Sequence, residues 1–197
     1  MAHIKSALEL ALEKTEGIKI NKDEIRLKEI QNKGRTAASE FLFGNRTTAE
    51  ELSEAVGKYR KKEKEAFREG IIKTFLSNIT LPKNGNFTEL ADKITEGLSV
   101  LTKDKKQVGV FMEQLKSFFS KYMENREDLT EAAKAQYQPR LRQKEQELAR
   151  QTGQQVQLTP EQDPEFMEFL KQNLARLDEQ YSMSLKQFKD ELKRFIG

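Results

Sequence analysis

Residues 164–195 read PEFMEFLKQNLARLDEQYSMSLKQFKDELKRF, and the spacing of their apolar residues decides the fold. Phe166, Leu170, Leu174, Leu177, Tyr181, Leu185, Phe188, Leu192 and Phe195 recur every three or four positions. That interval brings side chains onto one side of an α-helix. Between Leu170 and Leu192 the intervening positions are polar apart from Ala175 and Met183. The stripe is a narrow, coiled-coil-like seam held over about four heptads, roughly 48 Å of helix. Its start is marked twice. Thr159-Pro160-Glu161-Gln162 has the form of a capping box with proline at the first helical position, and Asp163-Pro164 offers a second N-cap three residues on.

Upstream of the seam the character changes. Residues 136–163 hold nine glutamines and only Tyr137, Leu141, Leu148, Val156 and Leu158 as large apolar residues. They read as an exposed helix followed by a loop after Gly153. Pro139 is expected to break or kink the helix that reaches it, because it lacks the amide donor and crowds the preceding turn. Before it, Val108, Phe111, Met112, Leu115, Phe118, Phe119, Tyr122 and Met123 give a wide, aromatic-rich face starting after Thr102-Lys103-Asp104. With 66–79 and 87–101 this face is the expected centre of the core.

Further back, Thr47 or Thr48 followed by Glu50 and Glu51 signals a helix start. The helix is expected to run to Asn78, with a wet middle at Arg60–Glu65 and a turn at Leu81-Pro82-Lys83-Asn84-Gly85-Asn86. An earlier helix, capped by Asn21, carries Ile25, Ile30, Ala37, Ala38, Phe41 and Leu42 and ends at Gly44-Asn45. Gly34 inside it reads as a weak point costing about 1 kcal/mol relative to alanine. Residues 3–15 read as a short first helix. The expected architecture is thus all-α, an elongated bundle of five to seven helices. It is organised as a helical core over 1–135, a Gln-rich exposed helix and loop over 136–163, and a long helix over 164–197 packing on the core or projecting from it.

Charged residues make up 34% of the chain and hydrophobic ones 36%, against roughly 25% and 45–50% in ordinary globular domains. There is no cysteine, which removes thiolate catalysis and every cysteine-based metal site and favours a reducing compartment. Charges interrupt the first residues where a signal peptide would be apolar, and no run is long enough to span a membrane. A cytoplasmic location is expected. His3 is the only histidine, so triads, zinc sites and the paired Glu-x-x-His of diiron bundles fail on inventory. Neither cofactor, metal nor small-molecule substrate is implied, and the expectation is that the chain is not an enzyme.

The net charge of +3 is spread evenly, and only residues 160–197 are acidic, with 6 bases against 8 acids. Nucleic-acid binders gather their bases on one element. The best such element is Lys58-Tyr59-Arg60-Lys61-Lys62-Glu63-Lys64, where Lys58, Arg60, Lys61, Lys62 and Lys64 would touch phosphates and Tyr59 would stack on a base. The plainer reading is a solvated helix carrying Arg60–Glu63 and Lys61–Glu65 pairs, and the interleaved acids favour it.

Two stretches carry a resemblance. Ile4-Lys5-Ser6-Ala7-Leu8-Glu9-Leu10-Ala11-Leu12-Glu13-Lys14-Thr15, with Lys33-Gly34-Arg35-Thr36-Ala37-Ala38-Ser39-Glu40-Phe41-Leu42 after it, resembles an uncharacterised family of small bacterial helical proteins. The resemblance implies bacterial origin and no known activity, and brings no functional residues with it.

Function then rests on the seam of Phe166, Leu170, Leu174, Leu177, Tyr181, Leu185, Phe188 and Leu192. A compact domain of this length is about 35 Å across, so a 48 Å helix overhangs it unless another long helix, such as 48–79 or 103–137, runs beside it. The seam packs either into the protein's own core or onto a protein partner or second copy. The expected function is a non-enzymatic adaptor, scaffold or chaperone-like binder acting through apolar helix seams, as a dimer or with a protein partner and not at a membrane. The alternative is a nucleic-acid or ribosome-associated protein using Lys58–Lys64.

Overall fold

The structure is a computed structural model and describes residues 22–44, 47–83, 85 and 87–197. The helix expected over 3–15, His3 and the Asn21 cap lie outside these residues, as does Ile4–Thr15. The fold is all-α: the described residues form six α-helices and one 3-10 turn, with no strand among them. The helices are α1 (Lys22–Phe43), α2 (Ala49–Gly57), α3 (Lys61–Asn78), α4 (Thr88–Ser99), α5 (Lys105–Thr152) and α6 (Pro164–Ile196), with the 3-10 turn at Pro160–Gln162. The chain divides into two compact units, Met1–Thr74 and Phe75–Gly197, with the dividing point inside α3. The boundary expected at 135 falls inside α5, and the one at 163 falls at the start of α6.

In the first unit, α1 and α3 cross at two glycines. A Cβ on Gly34 would overlap the Phe67 carbonyl oxygen, and one on Gly70 would overlap the Gln31 carbonyl oxygen. Both glycines are buried. Gly34 is therefore no weak point but the contact that lets two backbones approach, with Ala38 fully buried one turn on. The helix expected from 48 to 78 is two helices. Thr48 opens α2 with a capping box, its hydroxyl accepting from the Glu51 amide at 3.3 Å while Glu51 Oε2 accepts from the Thr48 amide at 3.0 Å. After Gly57 the chain breaks, and α3 begins at Lys61, whose φ is 50°. The break falls at 58–60, just ahead of the apolar gap, whose residues 61–65 are themselves helical as the largely exposed first turns of α3.

In the second unit, α4 lies against the first part of α5. The Phe87 and Phe119 rings meet edge to face at 5.3 Å, and Lys116 donates to Asp92 at 2.6 Å. The core is where the apolar faces place it: Phe75, Ile94, Leu98, Val108, Met112 and Leu115 are at most 1% exposed. Asp104 caps α5 by accepting from the Gln107 amide at 3.0 Å, and Gly153 ends it in the left-handed conformation.

Pro139 does not break α5, which continues to Thr152. The amide that proline lacks would have bonded the Ala135 carbonyl. Both residues are exposed, so that carbonyl is open to solvent and its lost bond costs little. On the opposite side Ala133, Tyr137 and Leu141 are buried with Phe166 of α6, and this packing holds the helix through the proline.

Candidate functional site

Helices α5 and α6 form an antiparallel hairpin, and the seam of α6 faces α5. Phe188 and Phe195 pack on Phe111, Tyr181 on Phe118 and Tyr122, and Phe166 on Tyr137. The long neighbour that the seam required is thus α5 of the same chain. A polar group fixes the middle of the hairpin. The Tyr122 hydroxyl donates to Asp178 at 2.8 Å, Arg126 donates to both, and Asn125 donates to the Tyr181 hydroxyl at 2.6 Å. Burial pushes the Tyr122 phenol above its ordinary pKa.

Burial along the seam is uneven. Phe166 and Leu192 are fully buried and Leu185 is 5% exposed. Leu170, Leu174, Leu177, Tyr181 and Phe188 are only half-buried. The cause lies in α5. Between Met123 and Tyr137 its one large apolar residue is Leu129, accompanied by Ala132, Ala133 and Ala135. Three leucines of α6 therefore face a stretch of small and charged residues that cannot cover them. Met167 stands 47% exposed beside this waist.

The end of the hairpin is closed by an ionic cluster that no sequence period announces. Asp163 is the one buried charged residue among those described, at 6% exposure. Its carboxylate accepts from Lys144 at 2.7 and 2.9 Å, from the Tyr137 hydroxyl at 3.0 Å, and from the Glu165 amide at 3.0 Å as the cap of α6. Lys144 also reaches Glu165 at 2.9 Å, and Arg140 pairs with Glu165 at 2.7 Å. Hydrogen bonding to Lys144 holds both the Asp163 and Glu165 carboxyls below their ordinary values, and the carboxylates raise the Lys144 pKa in return. Each group is thereby locked in its charged form. That suits a fastener and is opposite to the tuning of a general acid or base.

The basic run lies at the α2–α3 break. Lys58, Arg60, Lys61, Lys62 and Lys64 are all exposed. The Arg60–Glu63 pair does not form, Glu63 being taken by Arg26 of α1 at 2.7 Å, and no Lys61–Glu65 pair forms either. Tyr59 stacks on Phe67 with centroids 4.7 Å apart, so one face of its ring is already occupied and the expected base-stacking role loses that face.

Among the described residues no group of three or more histidine, acid or cysteine side chains is arranged to hold a metal. Among them, too, no helix is long and apolar enough to cross a membrane. A hollow of about 230 Å³ beneath Ile79–Lys83 is lined mainly by Phe87, Leu90, Ile94, Leu115 and Phe119. It gathers no converging acid–base pair.

No curated protein and no solved structure matches the chain. A family model does match, over residues 53–194, and these residues take in the α2–α3 break, the hollow, the hairpin and its ionic end. The uncharacterised family expected from the sequence is thus found, although the match begins beyond the two N-terminal stretches that carried the resemblance. The model's description is a family of unknown function, DUF6657, and as it covers most of the chain, the chain belongs to that family.

Proposed function

We propose that this chain is a non-enzymatic helical interaction protein whose working surface is the waist of the α5–α6 hairpin, and that the surface pairs with a second copy of the chain. The observation that carries the reading is the contrast within one seam. Phe166, Leu185 and Leu192 are buried by the chain itself, while Leu170, Leu174 and Leu177 between them stay half-open. Completing the burial of a leucine contributes about 1–2 kcal/mol per side chain, so three on each of two copies give a real driving force.

The charges around the waist support a like partner. On α5, Glu124, Glu127, Asp128 and Glu131 are exposed acids, and on α6 exposed Lys171 and Arg176 stand among exposed Glu168 and Glu179. Charges of both signs on one surface let two hairpins related by a twofold axis set the bases of each against the acids of the other. Locked charge states at the hairpin end support the non-enzymatic part of the reading. The test is Leu174→Asp with Leu177→Asp, read by mass in solution and by circular dichroism. The expected outcome is a helical monomer from a parent that is a dimer. A parent that is monomeric when pure and associates only with another protein would replace self-association by a heterologous partner, and a parent that does neither overturns the reading.

A further inference from the structure

We propose that the first unit carries a second surface, made of the α2–α3 break and the groove beside α1, which binds the phosphodiester backbone of a nucleic acid. The run Lys58–Lys64 holds five cations and one acid, and that acid, Glu63, is already neutralised by Arg26. Among the described residues none of the five cations has a carboxylate partner. The Arg26–Glu63 bridge ties the run to α1. Beside it lies a groove of about 380 Å³ where Lys22, Arg26, Glu29, Lys33, Tyr59 and Glu63 surround Ile25 and Ile30. The basic surface is therefore wider than the run itself and includes α1 residues that no local motif singles out.

The arrangement is electrostatically unfavourable on its own. Lys61 and Lys62 sit in the first turn of α3, where unpaired amides and the helix dipole already favour anions. Lys61 adopts a left-handed conformation that lysine seldom takes. Crowded like charges at a helix start are relieved by an external polyanion. A chain of phosphates supplies several such anions in a row to five exposed cations. Anionic lipid is the poorer fit: Leu52, Val56 and Phe67 near the run are buried, and the one exposed apolar side chain of the groove is Ile25, at 47%, too little to anchor in a headgroup layer. With one face of Tyr59 covered by Phe67, recognition is of the backbone and carries little sequence preference.

The test is fluorescence anisotropy of the full chain with a labelled poly(U) RNA of about 20 nucleotides, in a salt series starting near 50 mM. Five phosphate contacts on a single strand give a log–log salt slope of about −3.5. The triple variant R60E/K61E/K62E is expected to bind at least tenfold more weakly, with a slope shallower by about 2. Lys62→Gln with Lys64→Gln, a gentler change at exposed positions, is expected to weaken binding several-fold with an unchanged helical spectrum. Lys22→Glu with Lys33→Glu is expected to weaken it too, which a run acting alone would not require. The control K103E/K105E/K106E makes the same charge change in the second unit and is expected to leave affinity within about twofold. A duplex DNA run in parallel binds with a slope of about −4.5 for the same five contacts if the backbone is what is read. Three results would overturn the proposal: no binding at the lowest salt, equal weakening by the control, or co-sedimentation with phosphatidylserine vesicles by a protein that ignores RNA.

Discussion

Gly34 of α1 and Phe67 of α3 meet so closely that one added methyl group would overlap the Phe67 carbonyl oxygen. On helix propensity alone, Gly34→Ala should stabilise α1 by about 1 kcal/mol. The crossing reverses the sign. The obstructing atom is backbone and has no rotamer to yield, so the helices must separate, and overpacking of this kind costs about 1–3 kcal/mol. Gly70→Ala faces the Gln31 carbonyl in the same way and is expected to behave alike. Chemical denaturation of the two variants checks this, and a gain in stability in either would show that the helices have room.

How far the sequence discloses this molecule depends on the range of the signal. The α6 helix is legible because its signals are local: leucines three and four apart, and Asp163-Pro164 at the start. The capping boxes and the Gly153 stop are legible for the same reason. The break at Lys58–Arg60 lacks any proline, and only the absence of apolar residues after Tyr59 hints at it. Pro139 misleads in the other direction, since its cost depends on whether Ala135 faces water. What covers the seam was open because Phe111, Phe118 and Tyr122 show an apolar face without showing what it meets. The Lys144–Asp163 contact spans 19 residues and follows no period, so geometry alone reveals it.

Asp163 provides a second test. Asp163→Ala removes the α6 cap and leaves the Tyr137 hydroxyl without its buried acceptor, and is expected to lower stability by about 2 kcal/mol. Asp163→Asn keeps a capping oxygen and should cost less. The native carboxyls of Asp163 and Glu165 titrate below their unfolded values. Their contribution is therefore complete above the ordinary carboxylate range and is lost as pH falls through the lower, folded pKa values. Thermal melts between neutral and strongly acidic pH should show the parent losing more stability than Asp163→Asn. Parallel curves for the two proteins would mean that the cluster does not fasten the hairpin.

Lys189 shows the opposite balance. It is half-buried on α6, on the side of Leu185 and Leu192, and burial alone lowers its pKa, with no carboxylate partner among the described residues. The folded state thus disfavours its charge. Lys189→Met is expected to raise stability by about 1 kcal/mol at neutral pH. The parent's deficit is largest below the folded pKa and shrinks as pH rises through it towards 10.5. Melting both proteins at neutral and alkaline pH checks magnitude and sign together. A variant no more stable than the parent would show that the ammonium is adequately solvated.

The central claim is that the half-open waist formed by Leu170, Leu174 and Leu177 is completed by a second copy. The most direct measurement is the mass of the purified chain by light scattering across a dilution series. The account predicts twice the chain mass at high concentration, falling towards the single-chain value on dilution, and the single-chain value throughout for Leu174→Asp with Leu177→Asp. A parent that keeps the single-chain mass at every concentration would contradict it.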